Sequence, residues 1–244
     1  MCYRYSVPGP DLLEKKFQAK LKMKFERKFH VSGFDFPKLP VITNEEPKQI
    51  DLFHWGLIPF WIKDEKTATE IRQRTANARC ETIFEKPSFR QSAKNKKCLV
   101  LADGFFEWRY FQGKNYPYYI YLKNKEPFAM AGLWDLWKNP ITGEKVYTYT
   151  IITTEANPLL AKIHNKKKRM PVILKEYDYK NWLDINLEKE KIMSLLSAYD
   201  ENEMDAYTIS KLITDKEHNP NVSEVLEPFT YKELDSNSGQ TSLF

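Results

Sequence analysis

The apolar positions change period several times along the chain, and each period predicts an element. After the break at Pro8, Gly9 and Pro10, residues Leu13, Phe17, Leu21, Phe25 and Phe29 recur every four positions, with Lys15, Lys16, Lys20, Lys22 and Lys24 between them. That spacing predicts an amphipathic helix with a basic outer face, opened by Asp11 and Glu14 in a capping-box arrangement. Core packing is the commoner use of such a stripe, ahead of a binding groove. From Phe34 to Pro59 the apolar segments are short and interrupted by prolines and Asn44, with one strand expected within Gln49 to Ile58. A helical pattern returns over Thr67 to Arg74.

Five β-branched or aromatic runs follow: Cys98 to Ala102, Phe105 to Phe111, Tyr116 to Leu122, Pro127 to Leu133 and Val146 to Thr153. Gly104, Gly113-Lys114-Asn115, Asn124-Lys125 and Asn139-Pro140 divide them, so they read as consecutive, mostly antiparallel strands. Short helices are expected at Pro158 to Ile163, Tyr177 to Leu183 and Glu188 to Tyr199, and a last strand at Ala206 to Ile209. This order predicts an α+β fold: a single domain whose curled, mostly antiparallel, β-barrel-like core is flanked by helices. There is no internal repeat and no shift in composition before about Pro228. The expected division is a domain over residues 1–227 and a flexible polar tail over 228–244.

Composition narrows the class. With 14 Tyr, 15 Phe and 6 Trp in 244 residues, a mean hydropathy of −0.60 describes a charged surface over an aromatic core and not a disordered chain. No apolar run approaches the roughly 20 residues that span a bilayer. The start MCYRYSVPGP lacks the layout of a signal peptide, so the expectation is a soluble, cytoplasmic protein. Three cysteines, Cys2, Cys80 and Cys98, are too few for a disulfide framework or a four-cysteine zinc site. His30, His54 and His218 have no metal-ligand spacing with them, so no metal and no cofactor are assigned. Cys80 and Cys98 read as buried apolar residues.

The net charge of +5 is unevenly spread. Residues 175–244 carry 7 basic and 15 acidic side chains, a net of −8, which leaves +13 on residues 1–174. The first two thirds therefore fit a polyanionic partner, most simply nucleic acid, although lysine-rich faces are more often plain solvated surface.

Cys2 is the most informative residue. Once Met1 is removed it becomes a 1,2-aminothiol, which condenses with an aldehyde through both nitrogen and sulfur to close a thiazolidine. An α-amine of pKa ~7.7–8.0 and a thiol of ~8.5 put both nucleophiles near neutrality. No internal cysteine has this chemistry.

The segments Met1–Arg4, Trp55–Trp61, Asn77–Thr82, Cys98–Val100 leading to Gly104–Trp108, Phe128–Trp134, and Ile163-His164 with Arg169–Leu174 occur in that order. Together they resemble the SOS response-associated peptidase (SRAP) family, the abasic-site processing proteins, from Cys2 to about Ile209. The resemblance implies the SRAP fold and loss of Met1, by self-cleavage or otherwise. It also implies a covalent thiazolidine crosslink between Cys2 and the ring-opened sugar of an abasic site in single-stranded DNA. Carried over residue by residue, it places the catalytic site at Cys2, Asn77, Glu107 and His164. His164 would deliver the proton that opens the sugar ring, Glu107 would orient the Cys2 amine and shuttle protons, and Asn77 would hold the amine and the sugar hydroxyls. Arg4 and Arg79 would grip phosphates, Trp108 and Trp61 would stack on bases, and Arg169 would be a further DNA contact.

Each residue also has a plainer reading. Glu107 can be a surface carboxylate, Asn77 can cap a helix near Arg79, His164 can end the helix before Asn165, and Trp55 and Trp61 can be core. Two departures from the family pattern stand out. Tyr3 follows Cys2 where glycine is common, which narrows the pocket mouth or offers a stacking surface. Asn165 to Lys168 separate His164 from Arg169 where a single residue is common, and Lys166, Lys167 and Lys168 offer a phosphate contact of their own.

The end of the chain, Gln240-Thr241-Ser242-Leu243-Phe244, resembles the peptide with which bacterial replication proteins bind the sliding clamp. Its anchors would be Gln240, Leu243 and Phe244. The expected actor is a monomer on abasic single-stranded DNA. A thiol peptidase using Cys2 and His164, and a non-catalytic nucleic-acid-binding module, are the competing readings.

Overall fold

A computed structural model describes residues 2–215 and 217–235. Its core is a closed barrel. Strands β4 (Lys38–Thr43), β5 (Gln49–Trp55), β7 (Lys97–Ala102), β10 (Phe128–Lys138) and β11 (Lys145–Glu155) run in the order β11-β10-β7-β4-β5. A parallel pairing of β11 with β5, through Thr148 opposite His54 and Tyr149 opposite Trp55, returns the sheet to its start. The other neighbours in this ring are antiparallel. Strand β7 is buried at every residue and β10 at most, as strands covered on both faces must be. Gly132 of β10 makes the close wall possible, because a Cβ there would lie 2.7 Å from Val100 and 2.8 Å from the Cys98 sulfur.

Three short strands extend this sheet: β2 (Lys20–Leu21) on β5, β6 (Asn77–Arg79) and β12 (Arg169–Pro171) on β11. A second, five-stranded sheet has the order β13-β9-β8-β1-β3, formed by β1 (Arg4–Val7), β3 (Lys28–Ser32), β8 (Gly104–Phe111), β9 (Lys114–Leu122) and β13 (Met204–Thr208). A hydrogen bond of 2.6 Å between the buried hydroxyls of Tyr5 on β1 and Tyr149 on β11 joins the two sheets.

The helices are short: α1 (Pro10–Phe17), α2 (Glu65–Arg72), α3 (Ser92–Asn95), α4 (Pro158–Ile163), α5 (Tyr179–Leu183), α6 (Lys189–Leu195) and α7 (Lys232–Asp235). All five β-rich runs and the later helices form close to their expected places. The long basic helix does not. Helix α1 stops at Phe17, where Gln18 turns left-handed at φ 50° and ψ 41°. Leu21 then pairs with Ile50 in β2, and Phe29 lies in β3. The apolar stripe continues, but tertiary pairing overrides its period. Nor is there a capping box: Gly9 is the N-cap with Pro10 behind it, and Glu14 accepts the Leu21 amide at 2.8 Å.

The boundary at residue 228 also moves. Pro228 bridges Ile209, the Phe229 amide donates to the Thr208 carbonyl at 2.8 Å, and the Tyr231 hydroxyl donates to the Ile209 carbonyl at 2.9 Å. Residues 228–231 are therefore packed on the domain. The clamp-like residues Gln240, Leu243 and Phe244 lie outside the described residues.

Candidate active site

The second sheet brings Cys2 and Glu107 together. β1 pairs antiparallel with β8, Tyr5 opposite Phe105 and Ser6 opposite Gly104, and the charge of Glu107 reaches both Cys2 and Tyr3. Cys2 is fully buried and Glu107 is 4% exposed. Burial pushes the thiol well above its ordinary range, and the nearby Glu107 adds to the shift. Glu107 is thus an inside residue of a strand that also carries core aromatics, and not a surface carboxylate.

His164 arrives from the other side. Asn157 caps α4 by accepting the Leu160 amide at 2.8 Å, and His164 ends that helix as its C-cap residue. So the plain reading of His164 is true and compatible with a chemical role. Its Nδ1 lies 2.8 Å from the Arg169 carbonyl and 3.6 Å from Glu107 Oε1. A carbonyl only accepts, so Nδ1 carries the hydrogen and the neutral ring has its lone pair at Nε2.

Burial moves the proton affinities of the two groups in opposite directions. Burial lowers His164 to about 4, and Lys167 acts in the same direction. Burial raises Glu107 to about 7 against the opposing Trp108 amide and Lys167. Near neutral pH the imidazole is a neutral base, and the carboxyl is the group that exchanges a proton. The two groups lie close enough for one to donate a proton while the other accepts.

Asn77 enters on β6 from the barrel side, opposite Ile151. It belongs to a strand and does not cap a helix. Its side chain is 8% exposed, and neither the amide nitrogen nor the oxygen has a hydrogen-bond partner among the described residues. Such a group costs free energy unless something else binds it. The interactions that tie the site together run through Cys2, Glu107 and His164.

Arg169 corrects another expectation. Its side chain is buried, forks onto both Glu81 oxygens, and donates to the Thr153 carbonyl at 2.6 Å. With both terminal nitrogens committed inside, it pins the turn after β6 to β12 and so braces Asn77 against the His164 segment. Only 7% of its surface is open to a strand. Glu81 lies within a motif already legible in the sequence, but only the fold shows its partner. The Asn165–Lys168 segment is anchored too. Asn165 exchanges two hydrogen bonds with the Tyr110 backbone at 2.8 and 3.1 Å, Lys166 lies 3.5 Å from the Tyr110 ring centroid, and Lys168 turns at φ 49°. The extra lysines lock the loop to the end of β8 and set Lys167 near the acid-base pair.

A family model described as SOS response associated peptidase (SRAP) matches residues 1–216. The chain belongs to that family. Among SRAP-like relatives, the abasic site processing protein YoqW of Bacillus subtilis (strain 168) is 42% identical over 183 residues, 74% of this chain and 78% of that protein. The abasic site processing protein HMCES of Gallus gallus is 37% identical over 150 residues, 53% of this chain and 44% of that protein. A crystal structure of a protein from Bacteroides thetaiotaomicron has a TM-score of 0.88 at 38% identity, covering 94% of this chain and 100% of that one.

The remaining candidate contacts of this SRAP chain lie at the surface. Arg4 and Trp108, with Lys114, Asn115 and Lys211, line an open groove of about 590 Å³. Arg79 is exposed on the same strand face as Asn77, two residues on. Trp55 is core, and its indole donates to the Ala76 carbonyl at 2.8 Å. Trp61 is 43% exposed and lines a different groove with Phe60, Phe84, Arg90 and Lys94. Cys80 and Cys98 are buried and unbridged. Among the described residues no acidic, histidine or cysteine cluster has metal-binding form, and no helix is long and apolar enough to cross a membrane.

Proposed function

We propose that this protein captures abasic sites in single-stranded DNA as a covalent thiazolidine through Cys2, shielding the lesion during replication. The observation that carries the reading is the burial of the Cys2 thiol beside Glu107, itself 3.6 Å from His164. In the sequence this cysteine directly follows Met1.

The chemistry begins with hydrolysis of the Met1–Cys2 bond, which consumes one water and frees the α-amine. Protonated Glu107 then gives its proton to the ring oxygen of the closed sugar while His164 Nε2 accepts the anomeric hydroxyl proton, leaving the aldehyde. The amine adds to the aldehyde carbon, and water leaves with a proton returned by the pair, giving an imine. The thiol then adds across that imine: its sulfur bonds to carbon, and its proton passes by way of His164 to the nitrogen. Aldehyde, amine and thiol become thiazolidine and one released water. Asn77 supplies the donor and acceptor that hold the sugar, and Arg4, Arg79 and the Trp108 and Trp61 rings hold the strand. The monomer suffices, acting in the cytoplasm.

Incubation with single-stranded DNA carrying one abasic site, followed by a denaturing gel, tests the reading. A slow band lost in Cys2→Ala is expected, with intact mass showing Met1 gone. Salt-sensitive binding without that band would leave a binding module, and turnover of unrelated peptides would favour a thiol peptidase. The tail carries a separate proposal: a peptide of residues 232–244 binds the sliding clamp, and Leu243→Ala with Phe244→Ala abolishes binding. Equal binding of both peptides would sink it.

A further inference from the structure

We infer that Tyr3 and Phe34 form a stacking platform for the nucleobase next to the abasic sugar, so that the protein reads the neighbours of the lesion as well as its aldehyde. The inference rests on the proposed capture of abasic DNA. The two rings are stacked, with centroids 4.8 Å apart and planes at 19°. Tyr3 directly follows Cys2, and the charge of Glu107 reaches its phenol, so the platform adjoins the reacting atoms. Phe34 leaves 60% of its surface open, a large apolar face at the edge of a site rich in polar groups.

The platform is held in place by the backbone. The Gly33 amide donates to the Tyr3 carbonyl at 2.8 Å, and the Asp35 amide donates to the Ser32 carbonyl at 3.2 Å. Phe36 then turns at φ 50°, with its carbonyl accepting from His54 at 3.0 Å and from Arg72 at 3.2 Å. A Cβ at Gly33 would come within 3.2 Å of the Trp55 ring, so this turn is pressed against the core. An exposed aromatic on a turn tied at both ends is pre-ordered to stack, at little cost on binding.

Arg4 supplies the complementary charge. Its guanidinium carbon lies 5.9 Å from the Phe34 centroid and 5.3 Å from that of Trp108, so the cation sits between two aromatic rings. Its Nε is buried without a hydrogen-bond partner among the described residues. A base on an aromatic face with its phosphate on an adjacent arginine is the geometry that single-strand binding uses. The occupant is a base of the lesion-bearing strand, with adenine favoured over a pyrimidine for its larger face.

The test uses single-stranded oligonucleotides in which the abasic site is flanked on both sides either by adenines or by baseless tetrahydrofuran spacers. The protein concentration giving half-maximal crosslinking is measured for each. The wild-type protein should prefer adenine neighbours, and Phe34→Ala should cut that preference about fivefold or more, the effect of one lost stack. Phe34 is exposed, so the variant should fold, and unchanged melting would show it. An unchanged adenine preference in folded Phe34→Ala would overturn the platform. If the wild-type protein makes no crosslink, the capture reading fails. Anisotropy on oligonucleotides with an unreactive spacer at the lesion position then measures the same preference and its loss in Phe34→Ala separately.

Discussion

His164 and Glu107 lie 3.6 Å apart in a buried pair whose ordinary proton affinities are exchanged: the carboxyl titrates at about 7, and the imidazole at about 4. The proposed crosslinking needs a protonated Glu107 and a deprotonated α-amine. The rate should rise with pH as the amine is freed near ~7.7–8.0 and fall as Glu107 loses its proton, giving a bell. Glu107→Gln should lower the maximum about 100-fold and remove the alkaline limb. A bell with both limbs intact in that variant would show that another group is the acid.

The same carboxyl couples stability to pH. Its folded pKa is raised above the ordinary 4.5, so the folded state holds the proton more tightly. Stability associated with Glu107 is fully present below about 4.5 and declines as pH rises through 7. Glu107→Gln should therefore raise the melting temperature more at pH 8 than at pH 5, as thermal unfolding at the two values will show.

Glu81→Ala should leave Arg169 as a buried guanidinium without its fork partner. Because the Glu81 side chain is 46% exposed, the cost is about 1–2 kcal/mol and not that of a fully buried pair. Arg169→Lys should not substitute, since an ammonium cannot reach Glu81 and Thr153 with one planar group. Denaturant unfolding measures both, and crosslinking should weaken in parallel as Asn77 loses its brace.

Between the sheets, Tyr5→Phe should cost about 1 kcal/mol by leaving the Tyr149 hydroxyl buried and unpaired. Adding Tyr149→Phe should recover part of that loss. A double-mutant cycle on chemical denaturation gives the coupling, and strict additivity would contradict a bond of 2.6 Å.

Lys97 is fully buried, donating to the Asp184 carbonyl at 2.6 Å, and burial lowers its pKa to about 8. The unfolded chain holds that proton to higher pH than the folded one. Stability should therefore rise from about pH 8 to about 10, and Lys97→Met should flatten that rise.

The strands from Cys98 to Thr153 were legible because each is bounded by turn residues and rich in β-branched or aromatic side chains. Phe25 and Phe29 were not, since a stripe recurring every four residues fits a helix, and only the pairing of Leu21 with Ile50 ends it. β6 and β12 are too short to show any period, although they carry Asn77 and Arg169. Cys2 and its partners could be named from motif order. The proton ownership in the His164–Glu107 pair, the Arg169–Glu81 fork and the Tyr3–Phe34 stack depend on contacts between residues far apart in the chain. Burial and proximity of that kind have no local signature.

β1 lies inside its sheet, with β3 on one side and β8 on the other, and Cys2 sits two residues before it. In the proposed capture the DNA is joined to Cys2, so a pull on it reaches β1 first. Its hydrogen bonds to both neighbours are then loaded in shear together and do not peel open one at a time. A polymerase or helicase tugging on the captured strand would then work against both ladders of β1 at once.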